Sequence, residues 1–143
     1  MPADRPQAPG YLANLMARLF HEVADEGLAP LGIRPEQFPI LVELWFGEAD
    51  VTAASLASAH EEHLRAIEEM LLGLAADGLI TKVPIGENEK LVLTDKAIAA
   101  RDDAVVAARR ANQAAAGALS ELEMAQFIKM TNQVIDALQA AKS

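Results

Sequence analysis

"EEHLRAIEEMLLGLAADGLI", Glu61 to Ile80, is the stretch whose reading decides the fold. Ile67, Met70, Leu71 and Leu74 recur at steps of three and four, the period of one buried helical face. Gly78 then stands where a helix end favours a left-handed residue. The spacing predicts a helix from about Glu61 to Ala76, with Glu61, Glu62, Glu68 and Glu69 turned outward against a single base, Arg65.

Downstream, "LITKVPI" and "EKLVLT" are β-prone runs around "GEN", which predicts a two-stranded hairpin with Gly86 and Asn88 in its turn. Upstream, Thr52 is placed to cap a short helix, "AASLASA". Before it, "RPEQFPILVELW" carries Pro35 and Pro39 early enough for a first turn and sends Phe38, Leu41, Val42 and Trp45 inward. Leu12, Leu15, Met16, Leu19, Phe20 and Val23 predict an amphipathic helix from Tyr11 to about Ala29, broken by Gly27, Pro30 and Gly32. After the hairpin, Thr94 caps a long helix from Asp95 to about Ala116. Ser120 and Glu123 form a capping box that opens the last helix, where Phe127, Met130, Val134 and Leu138 make a stripe with Ile128 and Ile135 beside it.

The expected fold is therefore mainly α with a small β-hairpin wing: a winged helix-turn-helix head over residues 33–95, flanked by dimerisation helices over 11–32 and 96–143. Residues 1–10 read as a disordered lead-in to the single domain over 11–143. The flanking helices are apolar on faces the small head cannot cover. A second copy is expected to bury them, with Leu12, Leu15 and Leu19 against Val134, Ile135 and Leu138.

Composition supports this. Apolar residues make up 52% and aromatics only 4%, which favours thin, alanine-rich helices packed closely. The absence of cysteine excludes disulfides and thiolate metal sites. No apolar run approaches the ~20 residues of a membrane span, and the first ten residues lack a signal core, so a cytoplasmic protein with no membrane partner is expected. The net charge of −9 is uneven: residues 1–32 carry −2, residues 33–95 carry −8 and residues 96–143 carry +1. An approaching polyanion is repelled by the middle segment over a Debye length of ~8 Å.

The chain resembles the MarR family of winged-helix transcriptional regulators from Tyr11 to Leu138. The residues that carry the likeness are "RPEQFPILVELW", similar to the family's L-T-x-x-Q-F-x-x-L, together with "SLAS", "LLGLAADGLI", similar to L-x-x-L-x-x-x-G-L-[IV], and "LVLTDKA", similar to L-x-L-T-x-K-G. The resemblance implies a homodimer that binds palindromic operator DNA and often answers to a small ligand, a metal or a redox signal. It places Arg65, Ala66, Glu68 and Glu69 at DNA-facing positions. The wing, "VPIGENEK", lacks the arginine that family wings usually carry at the tip. The residues expected to meet double-stranded DNA are Arg65 in the major groove and Lys82 and Lys90 at phosphates, with His63 a fourth.

Three uses fit these residues. The chain is a DNA-binding regulator with reduced affinity, which is the preferred reading; or an interaction module for a basic partner that has lost DNA; or a sensor that forms mixed dimers with a DNA-binding relative. Glutamate can accept from cytosine N4, so one or two acids are compatible with base contacts. Six, counting Glu87 and Glu89 on the hairpin, are not.

Other constellations are weaker. In "HEEH", His60 and His63 at i, i+3 can share a helical face and meet a metal, but two solvated histidines at a helix start is the preferred reading, so no metal site is assigned. His21 and Trp45 lie where the resemblance implies a cleft for a small aromatic acid; the simpler readings are a surface histidine and a core tryptophan. Arg109 and Arg110 read as a solvated helix face or platform ion pairs. No phosphate-cradling loop, dinucleotide fingerprint or nucleophile elbow is present, so neither an enzyme nor a cofactor is expected.

Overall fold

Pro9 opens the first helix. Its fixed φ suits a first helical position and its missing N–H is an orphan there in any case, so α1 (Pro9–Leu28) starts two residues ahead of the expected Tyr11. The computed structural model describes residues 4–142. A 3₁₀ turn (Pro35–Gln37) leads into α2 (Phe38–Phe46), and Thr52 caps α3 (Ala53–Ala59) by accepting from Ser55 N–H at 3.1 Å.

The recognition-type helix α4 (Leu64–Ala76) begins three residues later than the spacing predicts. The reason lies in how α3 ends. Glu61 has φ +52°, Glu62 N–H donates to Ala57 O at 3.0 Å and Glu61 N–H donates to Ser58 O at 3.4 Å. These are the two bonds of a Schellman cap, with Glu61 in the left-handed position. Glutamate there costs about 1–2 kcal/mol, which hides the cap from a propensity reading. α4 ends the same way, with Gly78 at φ +74° and Leu79 N–H on Leu74 O at 2.9 Å.

β1 (Ile80–Ile85) and β2 (Asn88–Leu93) pair antiparallel from Ile80–Leu93 to Ile85–Asn88. Their two-residue turn is Gly86-Glu87, with Asn88 already in the strand. A positive φ at Gly86 and not at Glu87 is the II′ pattern, which matches strand twist. Thr94 caps α5 (Asp95–Ala116), and the Ser120–Glu123 box opens α6 (Glu121–Ala141) with bonds of 3.1 and 2.9 Å.

The core joins Leu28, Ile33, Ile40, Leu41, Leu56, Ile67, Leu71, Leu74, Leu79, Ile80 and Leu91. α5 closes it with Ala97, Ala100, Ala104 and Ala107, and Ala111 extends the same buried stripe. The helices α1 and α5 approach closely: a Cβ on Gly27 would lie 2.6 Å from the Ala107 Cβ. By contrast α6 buries none of its described residues. Among the described residues, no helix is long and apolar enough to cross a membrane.

A polar clamp pins the end of α4. Gln37, only 2% exposed, donates Nε2 to Asp77 Oδ2 at 2.8 Å, and Arg34 Nη2 donates to the same oxygen at 3.0 Å. Lys96 Nζ donates to the Asp77 carbonyl at 2.9 Å. The Gln37 bond, offset by some desolvation and helped by Arg34, holds the Asp77 carboxyl below its ordinary pKa. A lowered carboxyl stabilises the fold above the ordinary value of about 4 and loses that contribution as pH falls through the folded value.

Two outcomes follow from these contacts. Gly27→Val forces α1 off α5 and lowers unfolding stability by about 1–3 kcal/mol in urea titration; an unchanged midpoint contradicts the close approach. The stability gap between the wild type and Asp77→Asn is widest near neutral pH and narrows below pH ~4. A gap that stays constant across that range rules out the carboxylate as its source.

Candidate nucleic-acid interface

The helix-turn-helix formed by α3 and α4 presents one long exposed face. α4 turns Ile67, Leu71 and Leu74 into the core, which leaves Leu64, Arg65, Glu68, Glu69 and Leu72 outside. Arg65, with its side chain 92% exposed, stands free of the body, and its Nε lies 3.9 Å from Glu69 Oε1 one turn on. Such an exposed pair contributes little and leaves the guanidinium free to reach outward.

The hairpin separates the two lysines. In the register, Lys82 pairs with Leu91 and Val83 with Lys90. Cross-strand partners share a face and successive pairs alternate, so Lys82 looks toward α3 and α4 with the buried Leu91, while Lys90 looks away. Lys90 Nζ lies 3.8 Å from Asp50 Oδ1. Of Arg65, Lys82 and Lys90, Lys82 is the one with no described carboxylate within ion-pair distance. His63 is exposed, in extended backbone at the N-cap of α4.

The four expected DNA contacts therefore fall on three surfaces. Arg65 and His63 belong to the helix, Lys82 to the wing face turned toward it, and Lys90 to the opposite wing face. Between helix and wing lies a groove of about 460 Å³, lined by Leu64, Glu68, Leu71 and Leu72 of α4, by Lys82, Glu87, Asn88, Glu89 and Leu91 of the hairpin, and by residues 52–54. The exposed Leu64 and Leu72 were not assigned from sequence. Their signal was the i, i+4, i+8 line Leu64–Glu68–Leu72, a second stripe beside the core stripe.

His60 and His63 do not share one helical face, and of the two only His63 is a solvated residue at a helix start. His60 ends α3 and His63 precedes α4, with left-handed Glu61 between them. The His60 Nε2 is shielded from solvent and lies 2.8 Å from Glu43 Oε1 without hydrogen-bond alignment. Among the described residues, no three His, Asp or Glu side chains converge as a metal site. Glu61 Oε1 accepts from Gln139 Nε2 at 3.0 Å, so the tip of α6 touches the turn between α3 and α4.

His21 and Trp45 do not meet in a pocket. His21 Nε2 lies 3.0 Å from Glu36 Oε2 on the surface. Trp45 packs edge-on to Phe38, with ring centroids 5.9 Å apart, and donates Nε1 to Ala97 O at 2.9 Å, which makes it a core residue joining α2 to α5. Arg110 Nη1 donates to Glu26 Oε2 at 2.7 Å, tying α5 to α1, and Arg109 is exposed.

On the platform side, α1, the end of α5 and α6 enclose an open apolar cleft of about 710 Å³. Leu12, Leu15, Leu19 and Val134 line it, with Phe127 and Met130; Ile135 and Leu138 lie beside it, exposed on α6.

No protein-family model and no curated protein matches the sequence. Solved structures do match its fold. A Staphylococcus aureus MepR–DNA complex aligns at a TM-score of 0.81 and 20% identity over 92% of this chain and 96% of that one. A mutant Escherichia coli MarR complexed with operator DNA aligns at 0.75 and 22% identity over 87% and 91%. The apo form of E. coli MarR aligns at 0.64 and 21% identity over 91% and 98%. The chain has the winged helix-turn-helix fold of the MarR-family transcriptional regulators.

Proposed function

We propose that the chain is a homodimeric DNA-binding transcriptional regulator whose heads hold operator DNA with reduced affinity. One observation carries this: over about nine-tenths of its length the chain shares the fold of solved structures that include two complexes with DNA, at TM-scores of 0.81 and 0.75. The charges work against affinity. Specific DNA complexes often rest on ~6–10 phosphate contacts. Each head brings Arg65, Lys82 and Lys90 to the task, with Lys90 turned aside.

The dimer reading rests on α6. A 21-residue helix with no buried residue gains little tertiary packing to stabilise it, and isolated helices are marginal in water. Its apolar residues, including Leu138 at 62% exposed, continue the apolar cleft lined by Leu12, Leu15 and Leu19. A second copy covers all of these at once in a two-fold arrangement. A small aromatic acid finds no anchor at His21 or Trp45, since Glu36 faces the imidazole and Ala97 takes the indole N–H. We place a ligand response in the apolar cleft.

Anisotropy titration on duplex DNA flanking the chain's own gene tests the regulator. Binding is expected at 50 mM salt, to weaken about a hundredfold by 200 mM and to fall about tenfold or more in Arg65→Ala. No binding at low salt refutes it. Leu138→Asp is expected to lower the sedimenting mass from dimer toward monomer in ultracentrifugation, and a dimer that survives the charge contradicts the α6 interface.

A further inference from the structure

We propose that the groove between α4 and the wing is a docking site for a cationic amphipathic helix of a partner protein. The proposal does not rest on DNA binding. The groove's floor is aliphatic, from the buried Leu71 and Leu91, and its α4 edge runs Leu64, Glu68, Leu72. Successive members are one turn apart, so the line spans eight residue steps, or about 12 Å. The two leucines are 46% and 65% exposed, on a face where a phosphate-reading helix gains nothing from large aliphatic groups.

The charge around this apolar line is one-sided. Glu68, Glu87 and Glu89 border the groove against Lys82, and among the described residues none of the three glutamates makes an ion pair. A groove with an apolar floor and free carboxylates on both edges complements a ridge with apolar residues at i, i+4 or i+7 flanked by lysine or arginine. A polyamine satisfies the carboxylates but leaves the leucines in water. An anionic metabolite or a phosphodiester backbone is repelled by the rim. A helix of about two turns meets both requirements, and a space of about 460 Å³ is wide enough to take its aliphatic side chains.

The test is fluorescence anisotropy with the full chain and a labelled lysine–leucine peptide of about 14 residues patterned as an amphipathic helix. A scrambled peptide of the same composition is run alongside it. Three variants are compared, each checked for unchanged helix content by circular dichroism: Glu68→Lys/Glu87→Lys/Glu89→Lys in the groove, Leu72→Asp in the groove, and Glu48→Lys/Asp103→Lys/Asp136→Lys, which changes net charge equally at exposed sites elsewhere. The patterned peptide is expected to bind the wild type. Each groove variant is expected to weaken it about tenfold or more, and the distant variant by about twofold or less.

Equal loss in the distant variant reduces the effect to net charge and overturns the site. Equal binding of the scrambled peptide does the same, as does no binding by the wild type. Self-association of the wild type that Leu72→Asp abolishes assigns the groove to a second copy instead. A triple groove variant that gains DNA affinity while keeping peptide affinity assigns it to DNA. Failure of DNA binding alone leaves this site standing, because the peptide titration contains no DNA.

Discussion

The close contact of α1 with α5 holds the rest of the structure in place. Gly27 and Ala107 let the two backbones approach, and the stripe Ala97, Ala100, Ala104, Ala107, Ala111 runs the length of α5. One end of that stripe joins the head core, where α5 packs on α2 and β2. The other end carries the platform cleft. Alanines contribute little buried area each, so the contact depends on fit rather than on bulk. Arg110 reinforces it by bonding Glu26 of α1, and Trp45 ties α2 to the same helix through Ala97 O.

Much of this was legible in the chain because the signals are local. Thr52, Thr94 and the Ser120–Glu123 box cap helices where the sequence places them, and the stripe Ile67, Met70, Leu71, Leu74 faces inward. The parts that stayed hidden are of three physical kinds. Some residues act against their own propensity: Glu61 takes a left-handed cap position that glycine or asparagine would advertise, and so moved the expected start of α4. Others act across distance: Gln37 and Asp77 are forty residues apart, and nothing local marks a buried glutamine as the donor to a carboxylate. The alanine stripe escaped for a third reason, since alanine is both a good surface helix former and a good core residue.

The site was legible in its residues but not in its grouping. Arg65 and His63 do lie on the outward helix. Lys82 and Lys90, read from sequence as one set of phosphate contacts, are placed on opposite wing faces by an even separation across the turn. Register decides this, and register depends on which residues form the turn. With Gly86-Glu87 as the two-residue turn, Lys82 faces Leu91, and Lys90 must then point the other way.

The same register sharpens the question of sign. Had both lysines faced α4, each head would set three cations against Glu68, Glu69, Glu87 and Glu89 on a single surface. With Lys90 beside Asp50, two remain. Two cations per head fall below the phosphate contacts that specific DNA binding ordinarily uses, even when a two-fold partner doubles them. Any DNA complex must then draw on backbone amides and on shape, contributions the acids do not cancel. The aliphatic residues on the same face respond differently. Leu64 and Leu72 gain free energy only by leaving water, and phosphate offers them no apolar surface to enter. The electrostatics lower the affinity for one ligand, while the exposed leucines raise it for another, and both effects act at the groove between α4 and the wing.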